Sequence, residues 1–383
     1  MTSVVKTFIY LSVSILLLAT SCKQENLVYY EVSGYAQGTT YTVKYSSSHK
    51  DYFSISFDSI LNEVDNQLSI YDSSSFISIV NDFSDTCFSI SDFQLFNNCI
   101  IKSNEVFNLS EKTFNPALYP LINYWGFYKS NNSNFKPDSS EIDSLLNLCQ
   151  YIDCFTLNGE SLCKSNAFSK LDFNAIAQGY SVDLVANFLD SNNIDNYLVE
   201  IGGELSAKGV NKRGDVWKVG IDKPINDSRP GENEFQEIIA LENKSLATSG
   251  NYRKFYEIDG QKFAHTIDPF TGYPVNHSLL SATVVADEAY FADAMATSFM
   301  VKGLTETKDF IQKNKNLDLN VLLVQRVLFT NSLSCFSKVL NTCTFSLPVC
   351  CALTTTAQFS SCELPYVEVK IATKKINLRI ELF

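Results

Sequence analysis

Histidine is scarce, with three residues in a chain of 383. A Ser-His-Asp hydrolase would draw most readily on His265 or His277, and neither Ser249 nor Ser281 nearby sits in a nucleophile elbow. There is no Walker A loop, no GxGxxG turn and no HExxH pair, so the usual sequence signs of P-loop, dinucleotide-fold and zincin chemistry are missing. Basic charge is also short: 30 Lys and Arg stand against 42 Asp and Glu, a net charge of −12. A phosphate backbone needs a basic face, so nucleic acid is excluded as a partner. Cys87, Cys99, Cys149, Cys154 and Cys163 show no CxxC or Cys/His spacing of the metal-binding kind. They read as buried free thiols, with a Cys149–Cys163 or Cys154–Cys163 bridge as the alternative. No internal repeat or long linker forces a domain boundary. What is present is 45% hydrophobic content, enough to fill a real core.

The first residues form a targeting segment. MTSVVK carries one positive side chain, TFIYLSVSILLLA is an uncharged apolar run, and Leu18-Ala19-Thr20-Ser21-Cys22 closes it. The run is short for a membrane span and fits a signal peptide. Small residues before a cysteine match a bacterial lipoprotein signal, with Cys22 lipidated. The expectation is a signal over 1–21 and a mature chain held by acyl chains at the cell membrane, on the periplasmic side.

The most informative stretch runs from Leu246 to Met300. FYEIDGQKFAHTI predicts a β-hairpin, because Asp259-Gly260 favours a tight primed turn between alternating flanks. SLLSATVVA predicts a buried strand. AYFADAMATSFMVKG predicts a helix that stops at Gly303. On that helix Asp293 and Thr297 are one turn apart and share a face. A carboxylate beside a hydroxyl suits a hard cation such as Mg²⁺; the same pair also serves as a local hydrogen bond or cap. His265 falls where a strand enters a turn, a place from which side chains are presented to clefts.

Elsewhere the pattern is mixed α/β. A hairpin is predicted around Gly38 and a helix through Ile60, Leu61, Val64 and Leu68, followed by a serine-rich turn over 72–75. Further helices are predicted over 93–109, from the SSEID start, and over 178–189. NYLVEIGGEL predicts a strand running into Gly202-Gly203, where another backbone or a ligand can come close. VWKVGIDKP predicts one more strand.

Several stretches, in order, resemble the FAD:protein FMN transferase (ApbE) family: GTTYTVKY, QLSIYDSSSFIS, FNPALYPLINYWGF, LDFNAIAQGYSVDLVANFL, YLVEIGGEL, SLATSGNYRKFYEIDGQKFAHTIDPFTGYPV and LLSATVVADEAYFADAMATSFMVKG. The succession of ATSG, HTIDPFTGYPV and ADAMAT is the most specific part. The resemblance implies an α+β, T-fold-like architecture of mixed sheets with packed helices over 22–320. It implies Mg²⁺-dependent transfer of FMN from FAD to a threonine or serine hydroxyl of a flavin-acceptor subunit in a membrane electron-transfer complex, with AMP released. Carried over, the metal ligands are Asp293, Thr297 and the main-chain carbonyl of Ala175. Flavin contacts fall on Gln37, Tyr71, Phe114, Asn115, Asp172, Gln178 and Ile267, and His265 is the acid/base residue. Alternatives are an FAD pyrophosphatase using water, or a flavin-binding lipoprotein without turnover.

Two matched positions depart from the family pattern. Gln37 stands where many members have Met, and Gln178 replaces the common Lys, losing a positive charge near the phosphates. From residue 321 the chain reads as an atypical tail with five cysteines after residue 330 and no match to the expected closing strands. That composition points to a different reading frame or a poorly selected extension, and it would leave a sheet edge exposed.

Overall fold

The computed structural model describes residues 27–48, 52–83, 87–128, 135–222, 235–251, 255–258, 261–326, 366–372 and 376–377. The expected signal segment with Cys22, the turn pair 259–260 and most of the tail lie outside them. No helix among the described residues is long and apolar enough to cross a membrane.

Strands β1 (Val28–Ala36) and β2 (Thr39–Ser47) form the predicted hairpin. Gln37 and Gly38 turn it with φ of 54° and 72°, the left-handed pair a primed turn requires. Helix α1 (Ser54–Leu68) buries Phe57, Leu61, Val64 and Leu68 on one side. The serine turn then ends in Ser75, whose hydroxyl accepts the Ser78 N–H and caps α2 (Phe76–Asp82). Strand β3 (Cys87–Ser89), helices α3 (Gln94–Leu109), α4 (Tyr119–Tyr124), α5 (Ser139–Leu148) and α6 (Tyr151–Cys154), and strands β4 (Phe155–Asn158) and β5 (Ser161–Lys164) follow. The Asp138 side chain caps α5 through the Ser140 N–H.

After α7 (Ala177–Ser191) the chain runs through β6 (Asn196–Ile201) and β7 (Glu204–Lys208). Next come β8 (Trp217–Asp222), β9 (Phe235–Leu241), β10 (Lys244–Gly250), β11 (Phe255–Ile258) and β12 (Gln261–Ala264). Then β13 (Leu279–Ala286), α8 (Ala289–Lys313), β14 (Asn320–Arg326), β15 (Tyr366–Ala372) and β16 (Ile376–Asn377) complete the described chain. Ile258 faces Gln261 across the β11–β12 pair, the register expected of a two-residue turn. Helix α8 does not stop at Gly303 as expected but only breaks there: Gly303 has φ 69° and ψ −175°, and helix resumes beyond it to Lys313.

A nine-stranded sheet, in the order β1-β2-β6-β7-β10-β13-β14-β15-β16, carries the fold. The fold is α+β as expected, but the sheets are not mixed: every described pair is antiparallel. Several neighbours are joined by tight hairpins, which impose that direction. Strand β14 straddles residue 321, and the tail contributes β15 alongside it, so β14 is paired on both sides. Alternation then sorts the two faces. On one side Ala247, Ala282, Val284 and Leu323 pack beneath α8 and α3. On the other, Leu205, Ala207, Leu246, Val285 and Leu322 pack on Trp217 and Val219 of the β8–β9 ribbon.

The cysteines correct one expectation. Cys87 and Cys163 lie directly across from each other in the β3–β5 register and are joined by a disulfide. Pairing across 76 residues has no local signature, so spacing could not show it. Cys99, Cys149 and Cys154 are free and buried, as expected, and neither bridge proposed to Cys163 forms.

Candidate active site at the meeting of two helices

The N-terminal halves of α7 and α8 meet above the sheet, and Gly179 makes the meeting possible. A Cβ at this position would lie 2.7 Å from the Ala289 carbonyl carbon and 2.8 Å from Asp293 Cβ. With no side chain there, the Gly179 N–H reaches Asp293 Oδ2 at 3.1 Å. One turn along α7, the Asp183 carboxylate accepts the Ala289 and Tyr290 N–H groups at 2.8 Å each. Asp183 thereby satisfies donors that the first turn of a helix leaves open. Burial raises its pKa to about 6, although the two N–H groups oppose that shift.

Asp293 and Thr297 share the face of α8 that is turned to the sheet. The Thr297 hydroxyl lies 3.0 Å from the Ser249 hydroxyl on β10. Asp293 is 6% exposed, and burial holds its carboxyl well above the usual carboxylate range. Ala175 precedes α7. The Gly179 N–H, four residues on, is given to Asp293 instead of the Ala175 carbonyl, and no other main-chain N–H of the described residues outside the helices takes that oxygen. A carboxylate, a hydroxyl and an unclaimed carbonyl are therefore presented at one helix junction. All three are hard oxygen donors, and they fit Mg²⁺. Among the described residues no three His, Cys, Asp or Glu side chains gather as a ligand set, so a softer metal has no site of that kind.

The β1–β2 turn and the β6–β7 turn close over the start of α7. Gln37 Nε2 donates to Ser181 Oγ at 2.5 Å. Gln178 Nε2 donates to the Ile201 carbonyl at 3.1 Å. Gly202 has φ 62°, and a side chain there would collide with the Gln178 amide, so the glycine pair serves a close approach as the sequence implied. Gln37 and Gln178 thus share one edge of the site.

A second wall holds Asp172 and Tyr71. The LDFN segment is fixed from behind by Asn81, whose amide clasps both the N–H and the carbonyl of Leu171 at 2.7 and 2.8 Å. The Asp172 N–H bonds the Pro116 carbonyl at 2.8 Å, joining this wall to the Phe114–Asn115 segment. Asp172 accepts the Asn174 N–H at 2.8 Å and the Tyr128 hydroxyl. Burial raises its pKa against both donors. Tyr71 is 73% exposed; its ring meets Tyr128 edge to face and its hydroxyl accepts from Asn174 at 3.2 Å.

Three further residues expected at the flavin have side chains engaged within the protein. Phe114 is core, and Ile267 is buried among Leu118, Leu121, Trp125 and Ile142. The Asn115 amide is engaged by the Cys149 carbonyl and the Ala117 N–H. His265 follows β12, with its ring edge toward Phe127 at 6.3 Å between centroids. His277 serves another purpose, since its Nε2 lies 2.8 Å from the Met300 carbonyl beside the Gly303 break.

The model of the ApbE family matches residues 37–322, which span every element described above from the first turn to β14. The chain belongs to the ApbE family. It is similar to the FAD:protein FMN transferase of Vibrio cholerae, 36% identical over 76% of this chain and 86% of the relative. The Haemophilus influenzae protein of the same name is 32% identical over 87% and 97%. Among solved structures, the flavin transferase ApbE from Vibrio cholerae superposes with TM-score 0.69 at 32% identity, covering 79% of this chain and 94% of that one. The apo form of Pseudomonas stutzeri flavinyl transferase ApbE gives 0.70 at 31%, covering 79% and 92%. As an ApbE protein the chain is a transferase.

Sequence reasoning missed Ser249, Asp183, Asn81 and Glu204. Glu204 opens β7, is buried, and has no partner for its Oε2 among the described residues. Burial, followed by the nearby Asp293 charge, holds its carboxyl well above the usual range. The signal available was an acid directly after the paired glycines, at the start of a strand.

Proposed function

We propose that this ApbE protein transfers the FMN half of FAD to a threonine or serine hydroxyl of a flavin-acceptor subunit and releases AMP, with Mg²⁺ bound by Asp293, Thr297 and the Ala175 carbonyl. One observation carries the reading: Asp293 and Thr297, one turn apart on α8, lie against the start of α7 in a close approach that only a glycine at 179 allows, with the Ala175 carbonyl just before that helix left unclaimed. Mg²⁺ there would neutralise the pyrophosphate oxygens of FAD.

The chain's own groups account for the rest. The acceptor hydroxyl oxygen attacks the phosphorus of the FMN half, the bridging P–O bond breaks, and the electron pair leaves with AMP. His265 takes the proton of the acceptor hydroxyl, and its neutral form is the working one. Tyr71 and Asp172 form the ring-binding wall, an exposed aromatic beside an acceptor carboxylate. The Phe114–Asn115 segment and Ile267 spend their side chains on packing, so they position the wall through the main chain. Gln178 offers a hydrogen bond where a lysine would offer charge, so FAD is held with less electrostatic help. On this reading the protein sits at the cell membrane, anchored through lipid on Cys22 and facing the periplasm, where an acceptor subunit of a membrane electron-transfer complex is within reach.

Product analysis tests the reaction. The protein is incubated with FAD, Mg²⁺ and a domain carrying the family's acceptor motif, Asp-Gly-x-Thr/Ser-Gly-Ala/Ser-Thr/Ser. Flavin fluorescence that survives a denaturing gel on the acceptor supports transfer. Free FMN with AMP would mark a pyrophosphatase, and unchanged bound FAD a non-catalytic flavin protein.

A further inference from the structure

Beneath α8 lies an acid that the proposed reaction does not yet use. Glu204 is the first residue of β7, and its place in the sheet follows from its neighbours. Leu205 and Ala207 point to the β8–β9 ribbon, so Glu204 and Ser206 point to the helices. The Ser245 hydroxyl, on β10 and across from Ser206 in register, donates to the Ser206 hydroxyl at 3.1 Å and confirms that side. Continuing the register one step from Leu205 and Leu246 sets Glu204 across from Ala247. Two residues beyond Ala247 on the same face stands Ser249, the partner of Thr297. Glu204 therefore stands on the strip of sheet that faces Asp293 and Thr297.

Two carboxylates thus share the helix side of the sheet, both buried, and neither has an ion-pair partner among the described residues. The Asp293 charge acts on Glu204. One Asp293 oxygen holds the Gly179 N–H, while Oε2 of Glu204 holds nothing among the described residues. The other Glu204 oxygen takes only that residue's own N–H. A buried carboxylate without a counter-charge is costly to keep, and a second acid beside it raises the cost. A divalent cation removes both penalties at once. Surface alternatives are closed to it, because Glu204 is 9% exposed.

We propose that Glu204 is a further acid of the cation site, supplying a second negative charge that retains the divalent ion held by Asp293, Thr297 and the Ala175 carbonyl. The inference rests on the proposed cation site and adds a residue to it. Glu204 acts on the cation and through Asp293, so it is a positioning residue. Its counterpart in function is the outer carboxylate that tunes a ligand set, whose loss commonly weakens metal affinity about 10–100-fold.

The test uses Mn²⁺ as the probe ion, with free Mn²⁺ counted by electron paramagnetic resonance, on the mature chain without FAD. Glu204→Gln is expected to weaken Mn²⁺ binding by about tenfold or more. It should also keep or raise the metal-free melting temperature, because a buried like-charge contact is removed. A merely structural acid would lower that temperature and leave Mn²⁺ affinity where it was. In steady state the variant should need more Mg²⁺ for half-maximal rate while FAD KM at saturating Mg²⁺ stays unchanged. Should Glu204→Gln fail to fold, Glu204→Asp decides: Mn²⁺ affinity unchanged overturns the inference, and affinity weakened about threefold or more supports it. Wild-type affinity retained in Glu204→Gln, with Asp293→Ala binding lost, overturns the role of Glu204 alone. If wild type binds no Mn²⁺, the underlying cation site falls as well.

Discussion

Replacing Gly179 by alanine puts the junction of α7 and α8 under direct strain. The new methyl would sit 2.7 Å from the Ala289 carbonyl carbon and 2.8 Å from Asp293 Cβ, where ordinary contact begins at 3.4 Å. The obstacle is main chain, which cannot rotate away, so the helices must separate by several tenths of an ångström. Overpacking of this kind costs about 1–3 kcal/mol. The better helix propensity of alanine returns up to about 1 kcal/mol. The net loss centres on about 1 kcal/mol, which lowers Tm by roughly 2–4 °C for a domain of this size. The same separation lengthens the 3.1 Å bond from the Gly179 N–H to Asp293 and moves the carboxylate away from Thr297's partners. Cation affinity therefore falls by more than stability does. Thermal melts across a Mg²⁺ series read both, since a ligand present at 100 times its Kd adds about 2.7 kcal/mol. A variant that melts within about 1 °C of wild type and gains equally from Mg²⁺ would refute the reasoning.

Other expectations are more compact. His265→Ala should slow transfer about 10²–10⁴-fold while FAD affinity, read by equilibrium fluorescence, changes little; equal losses would reduce His265 to a contact residue. Breaking the Cys87–Cys163 disulfide, which closes a separation of 76 residues, should cost on the order of 4 kcal/mol in the chain-entropy picture. Urea melts of the Cys87→Ala/Cys163→Ala variant check this, and unchanged stability would show the bridge is idle. Asp183, with a pKa raised to about 6 in the fold, stabilises fully only below its unfolded value near 4, and that share is lost as pH rises through 6. The stability of wild type minus that of Asp183→Asn should thus fall by on the order of 2 kcal/mol between pH 4 and 7, and a flat difference would contradict it.

Local pattern was enough to place the element that matters most. The one-turn spacing of Asp293 and Thr297 and the strand SLLSATVVA are short-range facts that reappear in α8 and β13, while the expected stop at Gly303 is a break within a helix that runs on to Lys313. The same holds for the β1–β2 hairpin, whose turn is written in two residues, and for the pairing of β11 with β12. What escaped depends on pairs far apart in the chain. Asp183 caps a helix more than a hundred residues later, a separation of 106 that no window spans. Ser249 meets Thr297 across 48 residues, and Asn81 clasps Leu171 across 90. The Gly179 contact left a weak trace, since an isolated glycine within a helical run commonly marks close packing. Glu204 left one too, as an acid set directly after the paired glycines. The all-antiparallel pairing was not legible, because strand direction is set by which hairpins pair with which, and β10 lies between β7 and β13 by long connections.

The central claim is that oxygen donors on α8 and just before α7 hold a divalent cation while FMN passes to another protein's hydroxyl. The intact mass of the acceptor domain, taken after incubation with FAD, tests it most directly. Wild type with Mg²⁺ should add one FMN per acceptor and release one AMP, and both should vanish with EDTA or with Asp293→Ala. An acceptor that stays unmodified with wild type and Mg²⁺, or is flavinylated as well by Asp293→Ala, would contradict the account.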